Sequence, residues 1–100
     1  MWGSFLHVIT RRKLLETSMK HPELAGALDI WYRLTKRAGW KSLEDVRKDF
    51  PSADGVGRFT VFNIKGNHFR LIAEVNYRSG RVYIRHVLPH AEYDRGAWKQ

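Results

Sequence analysis

A chain of 100 residues, 43% hydrophobic and 13% aromatic, is enough for one domain around one core, spanning 1–100. Eighteen Lys and Arg against ten Asp and Glu leave a formal net charge of +8, which points to a polyanionic partner: nucleic acid, the ribosome, an anionic membrane or an acidic protein. No apolar run is long enough to span a membrane, no signal-peptide pattern is visible, and zero cysteines exclude disulfides, thiolate metal sites and Cys nucleophiles. A reducing cytoplasm fits this composition.

Phe5–Thr10 reads as a short first strand, and Thr10 is placed to cap the helix after it. Arg11–Lys20 reads as that helix, with Leu14, Leu15 and Met19 toward the core. His21-Pro22 breaks it, and Pro22 suits the first turn of a second helix, Pro22–Ala38. That helix carries Leu24, Leu28, Trp31, Thr35 and Ala38 at helical spacing, widened by Ala27 and Leu34. Gly39 is its natural stop. Trp40 is expected to pack the corner. Ser42 with Asp45 resembles a capping arrangement for a short helix, Leu43–Phe50, with Leu43, Val46 and Phe50 inward. Pro51 ends it, and Ser52–Gly57 is expected to be a loop.

Three strands come next: Phe59–Ile64, Phe69–Tyr77 and Val82–Leu88. Gly66-Asn67 and Ser79-Gly80 between them are hairpin signals. A two-residue loop at Gly66-Asn67 pairs Lys65 with His68, Asn63 with Arg70, Phe62 with Leu71 and Ile64 with Phe69. Phe62, Ile64, Phe69, Leu71, Ala73 and Val75 then share one face, while Asn63, Lys65, His68 and Arg70 share the other. On the third strand Val82, Ile84 and Leu88 match the apolar face, as does His86. Arg81, Tyr83 and Arg85 match the polar one. Helices followed by a strand meander predict an α+β fold with the helices on one face of an antiparallel sheet. The Arg70 and Arg85 face is then the open one, with Arg85 a short step from Arg70. Crowded cations repel, so an anion is expected there. The alternative is a solvated face with Arg85 paired to Glu74.

After Leu88, Pro89 turns the chain, and one helical turn places His90 and Tyr93 on one side. With Arg70, Arg85 and Lys65 they rim the open face. Pro89 prevents a helix from presenting His86 and His90 together, so no metal site is expected there.

Two stretches carry a resemblance: Val61 to Ile72, with Lys65-Gly66-Asn67-His68-Phe69-Arg70-Leu71 at its centre, and Val82 to Asp94, ending in Leu88-Pro89-His90-Ala91-Glu92-Tyr93-Asp94. Together with His7-Val8-Ile9 and the basic helix after it, they resemble the HigB toxins of the RelE/ParE toxin–antitoxin superfamily. The resemblance implies a RelE-like fold with a short C-terminal helical turn. It also implies a ribosome-dependent mRNA endonuclease acting in the A site beside 16S rRNA, without metal or cofactor. Its partner is implied to be a helix-turn-helix antitoxin of the HigA type, with operator DNA met only through that complex. No membrane is implied.

Metal-free RNA cleavage uses the substrate's 2′-hydroxyl as nucleophile. It needs a base for that hydroxyl, cations for the crowded phosphorane and an acid for the 5′-oxygen. Arg70 and Arg85 suit the phosphate, because a guanidinium fork matches its oxygens. His90 suits proton transfer, since imidazoles as a class titrate near neutrality. Lys65 is the alternative base. Tyr93 is suited to stack on a nucleobase or orient the 2′-hydroxyl. Asn63, Asn67, His68 and Arg81 are candidate RNA contacts. Some relatives carry a Glu base on the second strand; here Arg58, Asn63 and Lys65 are the polar residues available, which leaves the base open.

Two other functions compete: a non-enzymatic gyrase poison of the ParE type, and a basic RNA- or ribosome-binding module without chemistry.

Overall fold

The computed structural model describes residues 6–9 and 11–99. The expected cap at Thr10 lies outside them, as does Phe5. The described first strand, β1, covers His7–Ile9.

Helix α1 (Arg11–Lys20) meets the body along a narrow stripe of Leu14, Thr17 and Ser18. These positions recur at helical spacing. Leu15 and Met19, expected inward, are 55% and 81% exposed. A helix that touches its neighbours along one edge has room for one buried apolar side chain, and Leu14 takes it. A 3-10 turn at Pro22–Leu24 then leads into α2 (Ala25–Arg37). Leu24, Leu28, Trp31 and Thr35 are buried as their spacing predicts, but Leu34 is exposed. The helix ends where Ala38 swings into an extended conformation with ψ 155°, one residue before the glycine expected to stop it.

Helix α3 (Leu43–Asp49) begins at Ser42, whose side chain accepts from the Asp45 N–H at 3.4 Å. The Asp45 carboxylate in turn accepts from the Lys41 N–H at 2.9 Å. Both bonds secure the N-terminal end, the second reaching one residue further back than the Glu of a capping box would. Trp40 and Phe50 pack with Phe62, and Trp31 meets Phe62 edge-on with ring centroids 5.4 Å apart. Aromatic edge-to-face contacts of this kind add to the burial itself.

The expected loop at 52–57 contains a short edge strand, β2 (Asp54–Val56), paired with β3 (Phe59–Ile64). Strands β4 (Phe69–Asn76) and β5 (Arg81–Pro89) complete the meander. The five strands lie in the order β1-β5-β4-β3-β2. The sheet is mixed rather than wholly antiparallel, because β1 runs parallel to β5 at the edge, Val8 opposite Val82. Asn63 faces Arg70, Phe62 faces Leu71 and Ile64 faces Phe69, the register predicted for the first hairpin. Its turn is longer than two residues. Lys65 and Gly66 adopt left-handed backbone with φ of 53° and 65°, and the His68 N–H donates to the Lys65 carbonyl at 3.3 Å.

One irregularity rearranges the faces. Between Ile72 opposite His86 and Ala73 opposite Ile84, β5 carries Arg85 as an extra residue. A bulge of this kind reverses side-chain parity along the strand. Val87 therefore joins Leu71 under the helices. Leu88 and His86, both expected on the apolar face, stand on the other side, opposite Arg70 and Ile72.

That other side is only partly open. Helix α4 (His90–Arg95) stops at Gly96, whose φ of 79° is the left-handed conformation that ends helices. The chain then folds back through a 3-10 turn, Ala97–Lys99, and buries Trp98 against Phe59, Val61 and Ile72. Among the described residues no helix is long and apolar enough to cross a membrane.

Candidate functional site

Alternation on β4 puts Arg70, Ile72 and Glu74 on the face away from the main helices. Arg70 stands between Asn63 on β3 and Leu88 on β5. Its guanidinium is turned back toward the hairpin, donating to the Asn67 carbonyl at 3.1 Å and to Asn67 Oδ1 at 2.8 Å. The same group lies 5.4 Å from the centre of the Tyr93 ring. The ring in turn stacks on Trp98 at 5.0 Å and 14° between planes, and the Trp98 indole N–H donates to the Tyr93 carbonyl at 2.8 Å. Cation, phenol and indole thus form one continuous stack of contacts.

His90 opens α4, and its backbone N–H donates to the His68 carbonyl at 2.9 Å, which carries the β4–β5 ladder into the turn. Its Nδ1 is shielded from solvent and sits 2.9 Å from Asp94 Oδ2, off the line of a straight hydrogen bond. The side chain as a whole is 41% exposed, so the accessible edge of the ring is the one bearing Nε2. A carboxylate behind one nitrogen sets the orientation of the other. Lys65, Asn67 and His68 are exposed in the adjoining turn. The structure therefore gathers Arg70, Lys65, Asn63, Asn67, His68, His90 and Tyr93 at one end of the face.

Arg85 is elsewhere. Its Nε donates to Glu74 Oε1 at 2.8 Å, and Arg58 Nε approaches Glu74 Oε2 at 3.4 Å. Lys13 of α1 donates to the Arg85 carbonyl at 2.9 Å. Glu74 stands four positions along β4 from Arg70, about 13 Å at strand rise, and Trp98 packs on the sheet between them. The expected convergence of Arg85 with Arg70 on one phosphate is not the arrangement found. The pairing of Arg85 with Glu74 and the folded-back tail are the reasons. Pairing with Glu74, the alternative open in the sequence, is what the structure has. Arg81 is also apart, at the far end of β5 opposite His7 and Asn76.

Beside Arg85, burial lowers the pKa of His86, with Lys13 and Arg85 acting in the same direction and Glu92 opposing them. Two participants were not singled out in the sequence as parts of this face. Asp94 was findable, four residues after His90 on a helical turn. Trp98 was findable through Gly96, a helix stop that turns the chain back. Arg58, named only among the polar residues available as a base, is found paired with Glu74.

The sequence model of the family HigB_toxin, described as "RelE-like toxic component of a toxin-antitoxin system", matches residues 24–96. A protein of Escherichia coli O6:H1 (strain CFT073) named "mRNA interferase HigB" is 32% identical over 93 residues, 90% of each chain. The "mRNA interferase toxin HigB" of Escherichia coli K12 is 33% identical over 92 residues, 89% of this chain and 88% of its own. A Shigella flexneri protein named "mRNA interferase HigB" matches to the same degree. A family match across most of the chain and relatives aligned nearly end to end agree, and the chain belongs to the HigB toxin family.

Proposed function

We propose that this toxin is a ribosome-dependent endoribonuclease that cuts translated mRNA by attack of a ribose 2′-hydroxyl on the adjacent phosphorus, and so arrests growth. The observation that carries this reading is the contact of the Arg70 guanidinium with the Tyr93 ring beside a half-exposed His90. The names of the relatives support the same activity.

In this mechanism the 2′-oxygen forms a bond to phosphorus as its proton passes to a base. The bond to the 5′-oxygen breaks, and an acid protonates the leaving group. The products are a 2′,3′-cyclic phosphate and a 5′-hydroxyl. Arg70 releases the Asn67 oxygens and takes two phosphate oxygens in their stead, stabilising the pentacoordinate state by a factor on the order of 10²–10³. His90 moves a proton through Nε2, with Lys65 as its complement, each step contributing roughly 10²–10⁴. Tyr93, held in its stack, orients the 2′-hydroxyl through its phenol, and Asn63, Asn67 and His68 contact the strand. The partners are mRNA, the A site of the ribosome with its 16S rRNA, and a HigA-type antitoxin through which operator DNA is met. The place of action is the cytoplasm.

The test is induced expression followed by mapping of mRNA 5′ ends. Cuts at a fixed codon position, seen only during translation and absent with Arg70→Ala, are expected. A 2′-deoxy residue at the cut position should abolish cleavage. Equal cutting of the deoxy substrate, or intact mRNA in arrested cells, overturns the mechanism.

A further inference from the structure

A second gathering of charge on the same face is unused by the chemistry at Arg70. Glu74 is approached by Arg85 at 2.8 Å and by Arg58 at 3.4 Å, in both cases through Nε. Among the described residues, no other side-chain hydrogen bond or ion pair engages the outer nitrogens of either guanidinium. Those nitrogens are the part of the fork that matches phosphate oxygens. Lys13, tied to the Arg85 carbonyl, adds an ammonium beside them. Three cations and one carboxylate leave two positive charges uncompensated in a shallow cleft walled by Phe59, His86 and Trp98. Cations held together against their own repulsion mark a place prepared for an anion. The carboxylate at the centre of this cleft is four positions along β4 from Arg70, about 13 Å at strand rise, with Trp98 packed on the sheet between.

We propose that Lys13, Arg58 and Arg85, set around Glu74 at the β5 bulge, form a second phosphate subsite that grips the RNA strand away from the phosphodiester held at Arg70. This inference rests on the reading of the chain as an RNA-cutting toxin. Glu74 holds the two forks with their outer edges toward solvent. It also moderates the grip, since its charge opposes the phosphate. Strand and cut are then registered by two points of contact instead of one.

The experiment measures binding of a short fluorescein-labelled 2′-O-methyl RNA, which has no free 2′-hydroxyl and so reads binding without cleavage. Arg58→Ala and Lys13→Ala should each weaken binding roughly 3- to 10-fold. Each should also lower the slope of log K against log salt by about 0.7. Glu74→Gln should tighten binding, the opposite of what loss of a merely structural ion pair would do. Thermal unfolding of each variant checks the fold, and if Glu74→Gln fails to fold, the two alanine variants decide. Unchanged salt slopes in both alanine variants overturn the proposal. So does weaker binding to ribosomes with unchanged binding to the free RNA, because the cluster then grips ribosomal RNA. If the slopes fall as expected while no mRNA is cut in cells, the subsite stands and the nuclease reading falls.

Discussion

Two arginines on one face of one sheet are held in different ways. Arg70 rests on neutral oxygens of Asn67, which a phosphate can replace without leaving a charge unpaired. Arg85 rests on a carboxylate that is itself shared with Arg58, so its Nε is committed and only its outer edge is available. The residue between these ends, His86, has a pH consequence. Burial, with Lys13 and Arg85 nearby, holds its pKa below the ordinary 6.5. Below that value the unfolded chain binds more protons at this site than the folded one, so the contribution of His86 to stability is whole above about pH 6.5 and is lost as pH falls through the folded value. Urea midpoints measured from about pH 7.5 down to 5.5 should fall, and His86→Asn should flatten that fall. An unchanged pH dependence in the variant would remove His86 from the account.

At the scale of elements, the C-terminal segment does the most with the fewest residues. Six residues of helix, a left-handed glycine and one further turn bring Trp98 onto Phe59, Val61 and Ile72 while stacking it on Tyr93. Trp98→Ala should destabilise the protein by up to about 3–5 kcal/mol, the range for buried aromatics, and should also free the Tyr93 ring. Trp98→Phe keeps the packing and loses only the indole hydrogen bond, so most of the stability should return. A Trp98→Ala protein as stable as wild type in urea would show that the tail is not docked. Much of this architecture is legible in the residues alone. Periodicity marks α2, alternation marks β3 and β4, and the hairpin register comes from keeping Phe62 and Leu71 on one face. The bulge is not legible, because Tyr83-Ile84-Arg85-His86-Val87 alternates well enough to run straight. Only pairing with β4 shows where the extra residue falls. That single residue moves Leu88 and His86 across the sheet. Strand β2 is hidden because Asp54-Gly55-Val56 is turn-like in composition and becomes a strand only by borrowing the edge of β3.

Across the whole molecule, the face opposite the helices is divided into the Arg70–Tyr93–His90 end, an aromatic plug at Trp98 and a cationic cleft around Glu74, and the sheet beneath keeps them in line. The sheet depends on a long-range closure, for β1 covers the edge of β5. Deleting residues 1–9 should expose that edge and produce concentration-dependent association by light scattering. A monodisperse truncated protein would mean that β5 needs no cover. The same pairing has a temporal side. His7 meets Arg81, so a growing polypeptide delivers β1 long before the mate for it has been made. The sheet cannot be finished until β5 has been made. A toxin of this family would thus stay inert while it is still being built, and come to life only once β5 has left the machine that made it.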